Sequence, residues 1–232
     1  VTRMTRELTV LADQTDRLLA TARGLTDPGG PSLCEGWSRG HVLTHLARNA
    51  EAIGRLASWA VTGQREEMYP GGAEARDADI EAGARRAADE LVRDVAATAA
   101  DLVPRLEALE GPLAAQEVEM RGGMRVPATG LPFLRLREVV YHHVDLDAGF
   151  AFDDVDPDLL RRFVADAVHR LGLGKRPPGV VVRSDEGDAW TVGDGSATVA
   201  GPLSGILLWL ARRDTSQVRA VDGEVPSLPR GA

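Results

Sequence analysis

The sequence has a single cysteine, Cys34, in 232 residues. No disulfide can form within the chain, and a reducing compartment is the expectation. Lysine is almost missing: Lys175 stands alone among basic residues that are otherwise arginine. Aromatic residues make up only 4% of the chain, so a core has to be packed from alanine, leucine and valine rather than from rings. Positive charge is in deficit as well, with 27 basic against 35 acidic side chains and a formal charge of −8. Such a surface has no general attraction for nucleic acid phosphates. No apolar run approaches the ~20 residues of a membrane helix; the longest candidate, PLSGILLWLARR, is too short. The N-terminus, VTRMTRELTVLADQTDRLL, carries charges every few residues and lacks the apolar stretch of a signal peptide. The expectation is a cytoplasmic protein that binds neither nucleic acid nor membrane.

What is present divides in two, with residues 1–150 and 151–232 as the expected domains. The first part has helical periodicity. Leu8, Leu11, Leu18 and Leu19 form one stripe. Ser38 is placed to cap a second helix that Gly63 stops. A third, long helix is expected from about Glu74 to Leu109, with Ile80, Leu91, Val95 and Leu102 facing inward. A hairpin fits within Val118 to Val126, and a fourth helix runs from Leu131-Pro132 to near Gly149. Four such helices predict an antiparallel bundle. Beyond FDDVDPD the pattern changes: a helix over 157–172 capped by Asp156, then GVVVRSD, AWTVG and ATVAG, short β-branched runs separated by turn signals. These read as an antiparallel meander, followed by a last apolar helix from Pro202 to about Arg213 and an irregular tail. The fold class is α+β: a four-helix bundle, then a small α/β domain with an antiparallel sheet.

One stretch does not fit a plain core helix. LREVVYHHVDLDAG, residues 136–149, sets ionisable groups between valines. At 100° per residue and with Leu134 as zero, Glu138 lies at about +40°, His142 at about +80° and Asp145 at about +20°. Glu138 and His142 are i, i+4 neighbours, able to reach one ion together, and a carboxylate with a neutral imidazole suits Zn²⁺. Asp145 is placed to accept the other imidazole N–H. The second helix offers SRGHVLTHLARNA. With Val42 as zero, His45 falls at about −60° and His41 at about −100°, so His45 borders the interior and is the better third ligand. Spacing alone also fits a surface ion pair, since E-x-x-x-H is a weak signal. The other polar candidates read as structural: Cys34, with no His fixed beside it, as a small buried hydrophobe, Trp37 as a staple before the Ser38 cap, and His143 as a solvent-facing residue.

SLCEGWSRGHVLTHLARNA, SWAVTG with MYPGG downstream, LREVVYHHVDLDAG, GPLSGILLWLARR and the final GEVP occur in this order. Together they resemble the mycothiol-dependent maleylpyruvate isomerase family over nearly the whole chain. The resemblance implies a DinB-like metal-binding bundle followed by a small α/β domain. It places a metal triad, usually for zinc, on His45, Glu138 and His142, and a catalytic arginine at the end of the last helix, where Arg213 matches best beside Arg212. It also implies a cofactor, mycothiol, and a small-molecule substrate: maleylpyruvate, converted to fumarylpyruvate during gentisate catabolism. Adding a thiolate across the cis double bond would leave a rotatable single bond, and its departure would leave the trans isomer. Two other readings stay open: a mycothiol S-transferase, which uses the same metal and thiol but leaves the thiol on an electrophile, and a non-catalytic DinB-like member used for binding or regulation.

Overall fold

The structure is a computed structural model, and it describes residues 2–229. The chain divides into two compact units, Val1–Phe150 and Ala151–Ala232. Among the described residues there are seven α-helices and two small sheets.

The first unit holds α1 (Arg3–Arg23), α2 (Arg39–Thr62), α3 (Gly72–Gly83), α4 (Ala88–Glu107) and α5 (Leu131–Asp145), with a hairpin of β1 (Glu117–Glu119) and β2 (Arg125–Pro127) before α5. Helices α1 and α2 each pack against both α4 and α5. Leu11, Leu18, Leu46, Ile53, Leu56, Leu91, Leu102, Leu136 and Val140 are buried between them. α2 begins at Ser38, whose hydroxyl accepts from His41 N–H while His41 Nδ1 accepts from Ser38 N–H, so two backbone donors are satisfied reciprocally.

The single long helix expected over 74–109 is two helices. Ile80 and Leu91 are eleven residues apart, a spacing that keeps both on one helical face and hides a break from the periodicity. The break is set by contact with α2. A Cβ on Gly40 would lie 2.2 Å from the Ala84 carbonyl oxygen, and one on Gly83 would lie 2.4 Å from Thr44 Cγ2. The start of α2 therefore presses directly on the backbone at the end of α3. Glu90 then restarts the helix by accepting the Ala87 N–H at 3.1 Å. Pro104 sits inside the last turn of α4 and does not end it.

The second unit contains α6 (Pro157–Gly172), β3 (Val180–Ser184), β4 (Ala189–Val192), β5 (Ala197–Gly201), α7 (Leu203–Arg212) and β6 (Arg219–Ala220). Asp156 caps α6 through the N–H groups of Asp158 and Leu159. The expected antiparallel meander is a mixed sheet in the order β4-β3-β5-β6. β3 pairs antiparallel with β4 but parallel with β5, Val182 lying opposite both Trp190 and Val199. The GDGS segment, 193–196, is thus not a hairpin turn. It carries the chain past the start of β3: Ala197 N–H donates to the Gly179 carbonyl, and a Cβ on Gly179 would overlap Asp194 Oδ1. With no side chain at Gly179, Asp194 and Ser196 fit closely against it, and Ser196 Oγ donates to the Gly179 carbonyl at 3.2 Å. Val180 and Val182 point inward along β3, with Phe163, Val199, Ile206, Leu207 and Trp209 in the same unit's core. Residues 222–229 are irregular, and the last three residues of the expected tail lie outside the described residues.

Candidate metal centre

Helix α5 starts with Pro132 in its first turn, where a missing N–H goes unnoticed. One turn further on, Arg135 is 1% exposed and donates to the Leu46 carbonyl and to Asn49 Oδ1, both at 2.8 Å. These bonds tie α5 to α2. Burial lowers the Arg135 pKa to about 10, which leaves it a cation at neutral pH.

Glu138, His142 and Asp145 follow on the same helix. His45 projects toward them from the facing turn of α2. Its Nε2 is 2.9 Å from Glu138 Oε2, and His142 Nε2 is 3.5 Å from the same oxygen. The two imidazole rings meet edge to face with centroids 4.6 Å apart. One ligand atom from each of the three residues lies within 4.8 Å of the others. A tetrahedral ion with bonds of about 2.0–2.1 Å separates its ligand atoms by roughly 3.3 Å, a value between the two contacts. Two imidazole nitrogens and one carboxylate oxygen form a donor set that can hold a divalent ion and leave a coordination position open.

His142 has a carboxylate partner of its own. Its Nδ1 is 2.7 Å from Asp145 Oδ2, and Asp145 is fully buried. A carboxylate on Nδ1 settles the tautomer and turns Nε2 toward Glu138. Burial opposes charge on His142, but hydrogen bonds with Asp145, Cys34 and Glu138 outweigh it and raise its pKa well above the ordinary value. Burial likewise opposes charge on Glu138, and hydrogen bonds from His142 and His45 overcome it, holding the carboxyl well below the usual range. His45 goes the other way. Desolvation dominates and brings its pKa down to about 4, so it is neutral at neutral pH, the form in which imidazole ligates. Replacing Asp145 with Asn is expected to keep the fold but weaken zinc binding by about 10–100-fold; competition with a chromophoric chelator measures it, and unchanged affinity would exclude Asp145 as the partner that orients His142.

Several residues stand apart from the sequence-based expectations. Cys34 is not an isolated small hydrophobe. Its Sγ is 3.2 Å from Asp145 Oδ2, and Cys34, His142 and Asp145 form a second cluster of potential ligand atoms. The loop reaches α5 because Leu33 N–H donates to the Asp145 carbonyl at 2.9 Å, a pairing across more than a hundred residues that local sequence does not announce. Trp37 lies against one of the candidate ligands, its ring centroid 5.5 Å from that of His45. His143 does not face solvent. It is 1% exposed, stacks on Phe150 with centroids 3.7 Å apart, and lies 2.7 Å from Thr21 Oγ1. The cause is α1, which covers the face of α5 that would otherwise be wet. His41 belongs to the α2 cap and pairs with Glu81 at 2.9 Å, away from the cluster.

Arg213 lies in the second unit. It follows the last turn of α7 in a left-handed conformation, φ 65°, and its guanidinium donates to the Leu210 and Pro229 carbonyls. Burial, together with the positive charges of Arg212 and Arg170, lowers its pKa.

Residues 11–147 match the family model described as the mycothiol maleylpyruvate isomerase N-terminal domain. Two solved structures are similar to the whole chain: a crystal structure of the mycothiol-dependent maleylpyruvate isomerase, with a TM-score of 0.89, and one of a mutant of that enzyme, with a TM-score of 0.90. Each is 29% identical and covers 98% of this chain and 97% of its own. No curated protein matches the sequence. Since the family model spans more than half of the 232 residues, the chain belongs to the mycothiol maleylpyruvate isomerase N-terminal domain family.

Proposed function

We propose that this chain is a mycothiol-dependent maleylpyruvate isomerase of gentisate catabolism, with zinc held by His45, Glu138 and His142. In this reading α1, α2, α4 and α5 are a DinB-like antiparallel four-helix bundle, residues 1–150 are the metal-binding domain, and residues 151–232 contribute a substrate-binding arginine. A reducing cytoplasm suits the one free cysteine.

The observation that carries the proposal is the extent of the similarity. The isomerase resembles 98% of this chain, the second unit included, and not only the part that the family model covers. That favours isomerisation over other thiol chemistry on a similar metal-binding unit.

When bound, the metal would keep a thiol as thiolate at neutral pH, and the thiol would supply the nucleophile for addition, rotation and elimination. The chain's own residues prepare for this. Glu138 and His142, one turn apart, offer their ligand atoms on the same side of α5, and Asp145 holds the proton on His142 Nδ1. Glu138 is occupied as a ligand and is not assigned proton transfer. Arg213 is proposed to bind a substrate carboxylate or developing enolate charge. Its left-handed backbone supports a use for the side chain, because glycine would hold that position with less strain.

The test is turnover of maleylpyruvate by the purified, zinc-loaded protein with mycothiol, with products separated by chromatography. Fumarylpyruvate with full recovery of free thiol is expected. An S-conjugate that accumulates one per substrate would replace isomerisation with thiol transfer, and no reaction with any thiol would remove the enzymatic reading.

A further inference from the structure

Arg76, on α3, is a second cation beside the cluster. Its Nη2 is 3.1 Å from His45 Nδ1. Its guanidinium carbon lies 5.5 Å from the ring centroid of Tyr69 and 6.0 Å from that of Trp37. The side chain is only 12% exposed. Nη1 meets Asp77 at 2.6 Å, while Nε, out of contact with solvent, has no partner among the described residues.

The ion pair with Asp77 does not account for this placement. Asp77 is 64% exposed, and pairs of that kind contribute little. Its contacts with the two rings are favourable, but a buried N–H with no acceptor is not, unless an acceptor comes to it.

The contact with His45 sharpens the point. A guanidinium has donors only, so His45 Nδ1 is the acceptor here, and the ring proton is on Nε2, where it meets Glu138 Oε2. If His45 is to ligate through Nε2, the ring proton has to move to Nδ1. There it would confront the Arg76 N–H, donor against donor. Metal ligation and the Arg76–His45 bond therefore exclude each other. Once His45 ligates, Arg76 lacks acceptors on both Nε and Nη2. A carboxylate, planar and with two oxygens, is the partner that a guanidinium pairs with best. The low exposure of the Arg76 side chain, 12%, strengthens such a pair relative to one in open solvent.

We propose that Arg76 is a specificity-determining residue that binds one carboxylate of a dicarboxylate substrate beside the metal cluster. The inference rests on the isomerase reading for the identity of the substrate, a cis enedioate with two negative charges. It supplies an anion-binding group within the first unit, independent of Arg213.

The experiment uses the full chain loaded with zinc, as wild type and as Arg76→Gln and Arg76→Lys. Maleate, a cis dicarboxylate, is the probe, and its affinity is read by calorimetry without thiol. Arg76→Gln is expected to retain one zinc per chain and to bind maleate at least about 10-fold more weakly; Arg76→Lys should recover part of the loss. In turnover of maleylpyruvate, KM should rise more than kcat falls. Equal maleate affinity in wild type and Arg76→Gln would overturn the proposal, as would loss of zinc from Arg76→Gln, which would make Arg76 a support for His45 alone. If maleate binding depends on Arg76 while maleylpyruvate is not isomerised, the anion site stands and the isomerase reading falls.

Discussion

Replacing His142 with alanine is expected to remove stoichiometric zinc and to lower turnover by more than about 100-fold, since even the loss of an outer partner of a metal-bound histidine costs about 10–100-fold in affinity or activity. His142 belongs to both clusters of potential ligands, the one with His45 and Glu138 and the one with Cys34 and Asp145. The single substitutions that separate them are His45→Ala and Cys34→Ala. An ion held by His45, Glu138 and His142 is lost in His45→Ala and retained in Cys34→Ala; the opposite pattern would move the metal to the cysteine side of α5. Zinc content per chain, measured after gel filtration with the melting temperature as a control for folding, decides between them. Full zinc and full activity in His142→Ala would end the assignment of this helix to a metal.

Arg213→Ala is expected to reduce kcat/KM by about 10–100-fold, which corresponds to the roughly 1.5–3 kcal/mol of a hydrogen bond to a charged group. Zinc content should not change. Arg213→Lys should regain only part, because an ammonium cannot reproduce the two parallel N–H bonds of the guanidinium fork. Arg212→Ala is the control. Arg212 donates to its own neighbour's carbonyl, Ala211 O, at 3.0 Å. A loss confined to Arg212→Ala would transfer the role to that residue. Normal rates in all three variants would reduce the end of α7 to packing. A melting temperature that falls in Arg213→Ala without a change in kcat/KM would mean that its bonds to the Leu210 and Pro229 carbonyls only close the helix end.

Local rules account for a good part of the fold. Ser38 and Asp156 cap helices because a short polar side chain before an apolar run can satisfy free N–H groups wherever the helix is placed. Glu138 and His142 share a face because a helix returns nearly to its starting angle every four residues. None of this depends on distant parts of the chain. The split of the third helix was hidden for the same reason: the residues on either side of it keep phase, and what interrupts them is the close approach of Gly40 and Thr44 from α2. The sheet is a similar case. GDG between β-branched runs signals a turn, but a turn does not say whether the next strand pairs with the last one or crosses to the other side of β3. The crossing is made beside Gly179, whose carbonyl accepts the Ala197 N–H while Asp194 sits against a residue with no side chain.

Capping and helical phase are properties of neighbouring residues, so the starts of α2 and α6, the polar strip on α5 and the angle of His45 on α2 follow from local sequence. Packing decided that Cys34 lies against Asp145, that α1 covers His143, and that Arg76 reaches His45 Nδ1 and the Trp37 and Tyr69 rings. Except for Arg76 with Tyr69, each of these contacts joins segments that are far apart in the chain. They exist because packing the helices buries polar groups, which must then find partners on whichever element has been brought alongside.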